Sequence, residues 1–161
     1  MEISKELHLG LLNLHDAFLN ASLQRDCMLK SALIHNSNDP NLLLMSDRGR
    51  FERTWVSFLY VLLESWNSKQ MEKIREYISS IVDVTELIDI LNKGENEGYI
   101  LQMKEVRHYM CHRDNRKYWD DGRTALIGNL EYHDKLHLAF SKVLLNAFNK
   151  TYEINMPSMA E

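Results

Sequence analysis

The sequence predicts an all-α protein, folded as an up-and-down bundle of four to five main helices. Only six glycines and two prolines occur in 161 residues, which is too few for the many turns of a sheet protein. Apolar residues recur three and four positions apart over long stretches, as they do in amphipathic helices. With 45% apolar residues, the chain can bury one core. We expect a single helical domain over residues 1–150 and a flexible tail over residues 151–161.

The first helix is expected from about Ile3 to Ile34. An apolar stripe predicts it, formed by Leu7, Leu11, Leu14, Phe18 and Ala21. Arg25 falls on this stripe, where a long cationic side chain either extends to solvent or meets a buried partner. A dense turn signal around Pro40 then ends the helix.

Two further helices are expected in the middle of the chain. The second, from about Arg50 to Trp66, is the most hydrophobic segment and should lie at the centre of the bundle. Its apolar face comprises Trp55, Phe58, Leu59, Leu62, Leu63 and Trp66. The third helix is expected from about Lys69 to Ser80, with Ser68 as its N-cap.

The second half of the chain contains one ambiguous segment and two long helices. Val82 to Leu91 fits a short helix capped by Thr85, but its β-branched residues would also suit a strand. A long helix is expected from about Glu95 to Cys111, and the last from about Leu130 to Lys150.

Composition and motifs exclude several classes of protein. The net charge of −4 gives no long-range attraction to nucleic acid, so any such binding requires a local basic patch. The sequence contains no run of about eighteen apolar residues, which argues against a membrane protein, and a cytoplasmic location is expected. Cys27 and Cys111 form neither a disulfide framework nor a metal knuckle. A glycine-rich phosphate loop, GxSxG and HExxH are all missing, and we expect no cofactor.

The most informative motif lies at the end of the fourth long helix. Arg107 and His112 flank four residues, the first of which is His108. Arginine is a permanent cation that suits phosphate, and histidine exchanges protons near neutral pH. Together they could cleave a phosphodiester without a metal ion.

These six residues, in an all-helical chain, resemble the signature of the HEPN (higher eukaryotes and prokaryotes nucleotide-binding) superfamily. The resemblance implies a helical bundle that often dimerises, with paired motifs lining a cleft between protomers, and His108 fits the polar position after the arginine. It also implies a metal-independent endoribonuclease of toxin or defence type, with RNA or a nucleotide as ligand and an antitoxin protein as a further partner. Many members keep the fold without catalysis, so a dimeric nucleotide-binding or protein-interaction module is the alternative.

The spacing of the motif also bears on its geometry. On a straight helix, Arg107 and His112 would point about 140° apart. Convergence on one phosphate therefore requires the helix to loosen near Cys111, or two chains to contribute across a two-fold axis. In the expected reaction, His112 transfers the proton of a ribose 2′-hydroxyl or of the leaving oxygen, Arg107 holds the phosphate, and His108 orients it.

The polar stretch after the motif supplies candidate RNA-binding residues. Cations and aromatic rings interleave there, as they do where proteins bind single-stranded RNA. The candidates are Arg113, Arg116, Lys117, Tyr118, Trp119 and Arg123. Three aspartates in the same stretch also allow a plain solvated loop.

A metal site is a further alternative for the histidines. His108 and His112 are four residues apart, as are His133 and His137, so each pair would lie along one helix face. Four imidazoles on two adjacent helices could bind zinc. A structural or surface role for His133 and His137 is the alternative to this metal site.

Overall fold

The computed structural model describes residues 4–32, 47–111 and 129–153 and confirms the all-α prediction. In these ranges the chain forms six α-helices and no strand. The helices are α1 (Lys5–Ala32), α2 (Asp47–Asn67), α3 (Glu72–Ile81), α4 (Thr85–Asn96), α5 (Tyr99–Cys111) and α6 (Leu130–Tyr152). The turn signal around Pro40 lies outside the described residues.

One continuous cluster of apolar side chains holds the helices together, as their amphipathic spacing predicts. α1 and α2 pack against each other most extensively, and α6 packs on both. Fully buried side chains include Leu14, Trp55, Leu59, Ile78, Leu87, Met103 and Phe140. The two tryptophans of α2 are both buried, and α2 contacts α1, α5 and α6, so its predicted central position is confirmed.

The last helix runs antiparallel to the first. At one end, the hydroxyl of Tyr152 lies 2.7 Å from Nδ1 of His8; at the other, Nε of Arg25 donates to Asp134 over 2.8 Å. Arg25 therefore meets a partner across the helix interface instead of extending to solvent. The pairing fixes how α1 and α6 are aligned along their length.

The third predicted helix begins differently from the prediction. Residues Lys69–Met71 form a 3-10 turn, and the α-helix starts only at Glu72. Ser68 occupies the N-cap position of that turn, but its hydroxyl makes no capping hydrogen bond. Arg75 instead reaches back and donates to the carbonyls of Trp66 and Ser68. A cationic side chain thus satisfies the carbonyl groups that α2 leaves open at its end.

The ambiguous segment is a helix, α4, and its predicted cap was wrong by one residue, because the N-cap is Val84 and Thr85 is already helical. The Oδ1 of Asp83 accepts a hydrogen bond from the backbone N–H of Thr85 at 2.9 Å, and this bond lowers the pKa of Asp83. Asp83, which precedes the N-cap, therefore satisfies one of the open N–H groups at the start of the helix. The predicted helix from Glu95 was also wrong at its start, because Gly98 has a φ of 75° and separates α4 from α5.

The last helix is longer than predicted. It continues through Thr151 and Tyr152, which the sequence analysis had assigned to the tail. The hydroxyl of Tyr77 lies 3.0 Å from that of Thr151, and Lys150 donates to the carbonyl of Ile81. These contacts hold the end of α6 against α3. Residues 154–161 lie outside the described residues.

Over the described part of the chain, no helix is both long enough and apolar enough to cross a lipid bilayer.

Candidate functional site

Arg107, the cationic residue of the motif, projects from α5 towards α2. Its Nη1 forms an ion pair with the carboxylate of Glu64, and its guanidinium lies 5.7 Å from the centre of the Tyr60 ring. Tyr60 and Glu64 are four residues apart and thus share one face of α2. The side chain of Arg107 remains 34% exposed, so it is held in place and still reachable from solvent.

The same face of α2 carries further polar residues towards α5. Arg53, Ser57, Tyr60 and Glu64 follow at intervals of four, three and four, which aligns them along one side of the helix. The guanidinium of Arg53 is buried and lies 5.9 Å from the ring of Tyr109 on α5. We call these four residues, together with Arg107 and Tyr109, the α2–α5 polar interface.

This polar interface was missed at the sequence level, although a signal for it existed. The second helix was predicted from its apolar residues alone, and these lie on the side of the helix opposite the polar row. A regular row of polar residues on a helix whose other faces carry large buried apolar side chains indicates that one face meets something other than core. The structure places Glu64, the last residue of this row, against Arg107.

The other half of the motif, His112, lies outside the described residues, because α5 is described to Cys111. The same holds for all six predicted RNA-binding residues, Arg113, Arg116, Lys117, Tyr118, Trp119 and Arg123. His108 is described and half-buried on α5.

The second histidine pair is buried between the helices. Nδ1 of His137 accepts a hydrogen bond from Nε1 of Trp55 at 3.2 Å, so the proton of the neutral ring resides on Nε2. That nitrogen lies 3.2 Å from the hydroxyl of Ser22 and donates to it. His137 thus cannot take a proton from Ser22, and the two residues do not form a nucleophile–base pair.

His133 lies one turn earlier on α6 and is fully buried. Among the described residues, neither of its ring nitrogens has a hydrogen-bond partner. The ring meets Trp55 edge-on, at 6.3 Å between centroids. Burial lowers the pKa of both His133 and His137 to about 4, because a charged imidazolium is poorly solvated there. Both rings are neutral at pH 7 and pack as core side chains.

The described residues offer no metal centre. Within ranges 4–32, 47–111 and 129–153, no three histidine, cysteine, aspartate or glutamate side chains are grouped in a way that could hold a metal ion. His137 uses both nitrogens for Trp55 and Ser22, and Glu64 is engaged with Arg107. The four-histidine alternative also includes His112, which lies outside the described residues.

The chemistry available at this site is that of a guanidinium, Arg107, positioned by one carboxylate and one tyrosine ring. A guanidinium has five N–H donors, and the ion pair to Glu64 uses Nη1, which leaves donors for a phosphate oxygen. Comparisons with protein-family models, curated proteins and solved structures find no match to this chain. The roles of its residues therefore follow from their own geometry.

Proposed function

We propose that this protein is a metal-independent endoribonuclease of the toxin or defence type, similar to HEPN proteins. The observation that carries the proposal is the setting of Arg107. Its guanidinium is fixed by Glu64 and Tyr60, stays partly exposed, and lies five residues before His112. A fixed, accessible cation that can act together with a histidine is what the cleavage of a phosphodiester without a metal requires.

In the proposed reaction, the ribose 2′-oxygen attacks the adjacent phosphorus and the bond to the 5′-oxygen breaks. His112 removes the proton of the 2′-hydroxyl or returns one to the leaving oxygen. Arg107 donates hydrogen bonds to the phosphate oxygens and stabilises the added negative charge. His108 orients the phosphate. Glu64 and Tyr60 act as positioning residues, because they contact Arg107 and hold its guanidinium in place.

The proposal includes a homodimer with α5 at its interface. Five residues on a continuous helix separate two side chains by about 140°, so Arg107 of one protomer and His112 of the other could meet at one phosphate across a two-fold axis. In that arrangement each cleft draws on both chains, and a monomer would be inactive. An antitoxin protein would act by covering the cleft.

The test compares RNA cleavage by the wild-type protein with that of Arg107→Ala and His112→Ala. Each substitution should lower the cleavage rate by roughly 10²–10⁴-fold, and EDTA should not affect the wild type. Lys104→Ala is the matched control, since Lys104 is an exposed cation on the same helix outside the motif. In cells, the wild-type gene should arrest growth and the double variant should not.

A non-catalytic dimeric module that binds a nucleotide or a protein is the second candidate. It is favoured by the ion pair itself, because Glu64 already neutralises Arg107 and the pair could serve only to join α2 to α5. RNA left intact by the pure wild-type protein, with or without added metal, would select this candidate. Cleavage that EDTA abolishes and zinc restores would instead assign the histidines to a metal site.

A further inference from the structure

A groove lies between α3 and α4 and reaches the end of α2. Its volume is about 490 Å³, which is within the range of ligand-binding pockets. The two helices follow each other in the chain, but α3 packs on α1 and α6, whereas α4 packs on α5 and α6. Because each helix packs mainly on other helices, space remains between the two.

The α4 side of the groove is apolar. Val84, which is the N-cap of α4, lines it together with Ile88 and Leu91. Their intervals of four and three residues place them along one face of the helix. Ile88 is 45% exposed although its side chain is large and aliphatic, and Trp66 at the end of α2 lines the same groove. A second apolar side chain that covered this strip would displace water from it, which favours binding.

The rest of the groove is acidic. Glu72 and Glu76 line it from α3, and Glu95 lines it from the last turn of α4. All three are exposed, and none forms an ion pair within the described part of the chain. Arg75 is the one cation among the described residues that line the groove, and it donates to the carbonyl groups at the end of α2. The groove therefore has a net negative charge.

Charge and polarity together define what the groove can bind. The carboxylates would repel a polyanion such as RNA. A metal ion would gain nothing from the apolar side, and the described carboxylates are not grouped to hold one. An acidic surface beside an apolar strip is instead complementary to an apolar side chain with cations next to it. The aliphatic stems of lysine and arginine can also lie along an apolar strip while their charged ends reach carboxylates.

We propose that the groove between α3 and α4 binds a basic peptide segment of a protein partner, in which an apolar side chain lies between lysine or arginine residues. The apolar side chain covers Ile88, and the cations pair with Glu72, Glu76 and Glu95. Because these carboxylates are exposed, the pairs add modest affinity and chiefly select the partner.

This surface is separate from the site proposed at Arg107. Trp66 lies two residues after Glu64, about 200° around α2, so the groove is on the other side of α2 from the α2–α5 polar interface. The proposal therefore does not depend on ribonuclease activity. Substitutions in the groove should leave RNA cleavage unchanged.

A random library of short peptides, displayed on phage and selected on the full chain, tests the proposal. The retained peptides should carry lysine or arginine on both sides of an apolar residue. Fluorescence anisotropy then measures the affinity of a retained peptide. Glu72→Gln combined with Glu76→Gln keeps the side-chain shape but removes two charges, and should weaken binding by about 5- to 30-fold. Ile88→Ser should weaken it by about tenfold, because an exposed apolar contact is lost.

Matched variants separate the groove from a general effect of charge. Asp26→Asn combined with Asp89→Asn removes the same charge from exposed positions outside the groove. At physiological salt this variant should keep the affinity within about twofold. Leu138→Ser is the control for Ile88→Ser, since Leu138 is an exposed leucine on α6. All the substituted side chains are exposed, so thermal unfolding should show intact folds.

Several outcomes would overturn the proposal. One is a selection that retains no peptide, or only peptides without cations. Another is an equal loss of affinity in the groove variants and in their controls. A third is a pentalysine peptide that binds as tightly as the retained peptide, because it lacks the apolar side chain that the groove is expected to cover.

Discussion

At the scale of single residues, the site shows what a sequence can and cannot reveal. Arg107 was identified because arginine and histidine at short spacing indicate phosphate chemistry. Its partner Glu64 lies 43 residues earlier, and no local pattern connects the two. Sequence spacing relates residues on one helix, whereas the ion pair depends on how α2 packs against α5. The role of Arg107 in catalysis stays a prediction.

His133 and His137 show the same limit. Their four-residue spacing fits a metal pair and a structural pair equally well. The decisive facts are the hydrogen bond from Trp55 to His137 and the complete burial of His133, both of which come from the packing of α2 on α6. Trp55, 82 positions earlier in the sequence, therefore determines which ring nitrogen of His137 carries the proton.

The buried histidines should make the fold sensitive to acid. The pKa of His133 is about 4 in the folded protein against 6.5 as the reference value, so the unfolded chain binds a proton first as the pH falls. Stability is then fully present above pH 6.5 and declines as the pH falls towards 4. The full loss, reached below pH 4, amounts to about 3 kcal/mol for His133, and about 2 kcal/mol of it is reached at pH 5. Urea unfolding at neutral pH and near pH 5 measures that part.

His133→Leu isolates this contribution. The leucine cannot be protonated, so the free energy of unfolding should fall less between the two pH values than in the wild type. At neutral pH the variant should be at least as stable, because an apolar side chain replaces a buried ring that has no hydrogen-bond partner among the described residues. An unchanged pH dependence in His133→Leu would contradict the assignment.

At the scale of helices, the sequence predicted where each one lies better than where it ends. Apolar spacing depends on a whole segment, and each long helix in the described part of the chain was predicted. The ends depend on single contacts, such as that of Asp83 with Thr85 or that of Arg75 with the end of α2. The break at Gly98 was missed because helical spacing continues on both sides of it.

The contact between α4 and α6 gives a prediction at this scale. Gly94 is buried against Tyr132, and a Cβ at this position would overlap the tyrosine hydroxyl. Replacing glycine by alanine inside a helix normally stabilises it by up to about 1 kcal/mol. Gly94→Ala should instead destabilise the protein by roughly 1–3 kcal/mol, because the tyrosine ring must move out of a packed interface. Urea unfolding gives the sign of the change.

Asp89→Ala is the control for this prediction. Asp89 is an exposed residue of the same helix, so its replacement tests helix propensity without close packing. It should change the free energy of unfolding by no more than about 0.5 kcal/mol. A stabilised Gly94→Ala variant would show that α4 and α6 are not this close in solution.

At the scale of the whole molecule, charge constrains how an RNA substrate could bind. The chain has 23 acidic and 19 basic residues, so its overall field repels a polyanion. Binding must come from a local concentration of cations, and Arg107 is partly neutralised by Glu64. The stretch from Arg113 to Arg123 is the remaining candidate, because it holds four cations and two aromatic residues.

Arg116→Ala combined with Lys117→Ala should weaken RNA binding without slowing chemistry. Each phosphate contact to single-stranded RNA contributes about 0.7 to the slope of the logarithm of affinity against the logarithm of salt concentration. Losing both cations should therefore flatten that slope by about 1.4, while the cleavage rate at saturating RNA stays nearly constant. Filter binding over a salt series measures the slope, and Lys104→Ala is the control. An unchanged affinity and slope would favour the non-catalytic module, since an acidic chain needs a basic patch to hold RNA.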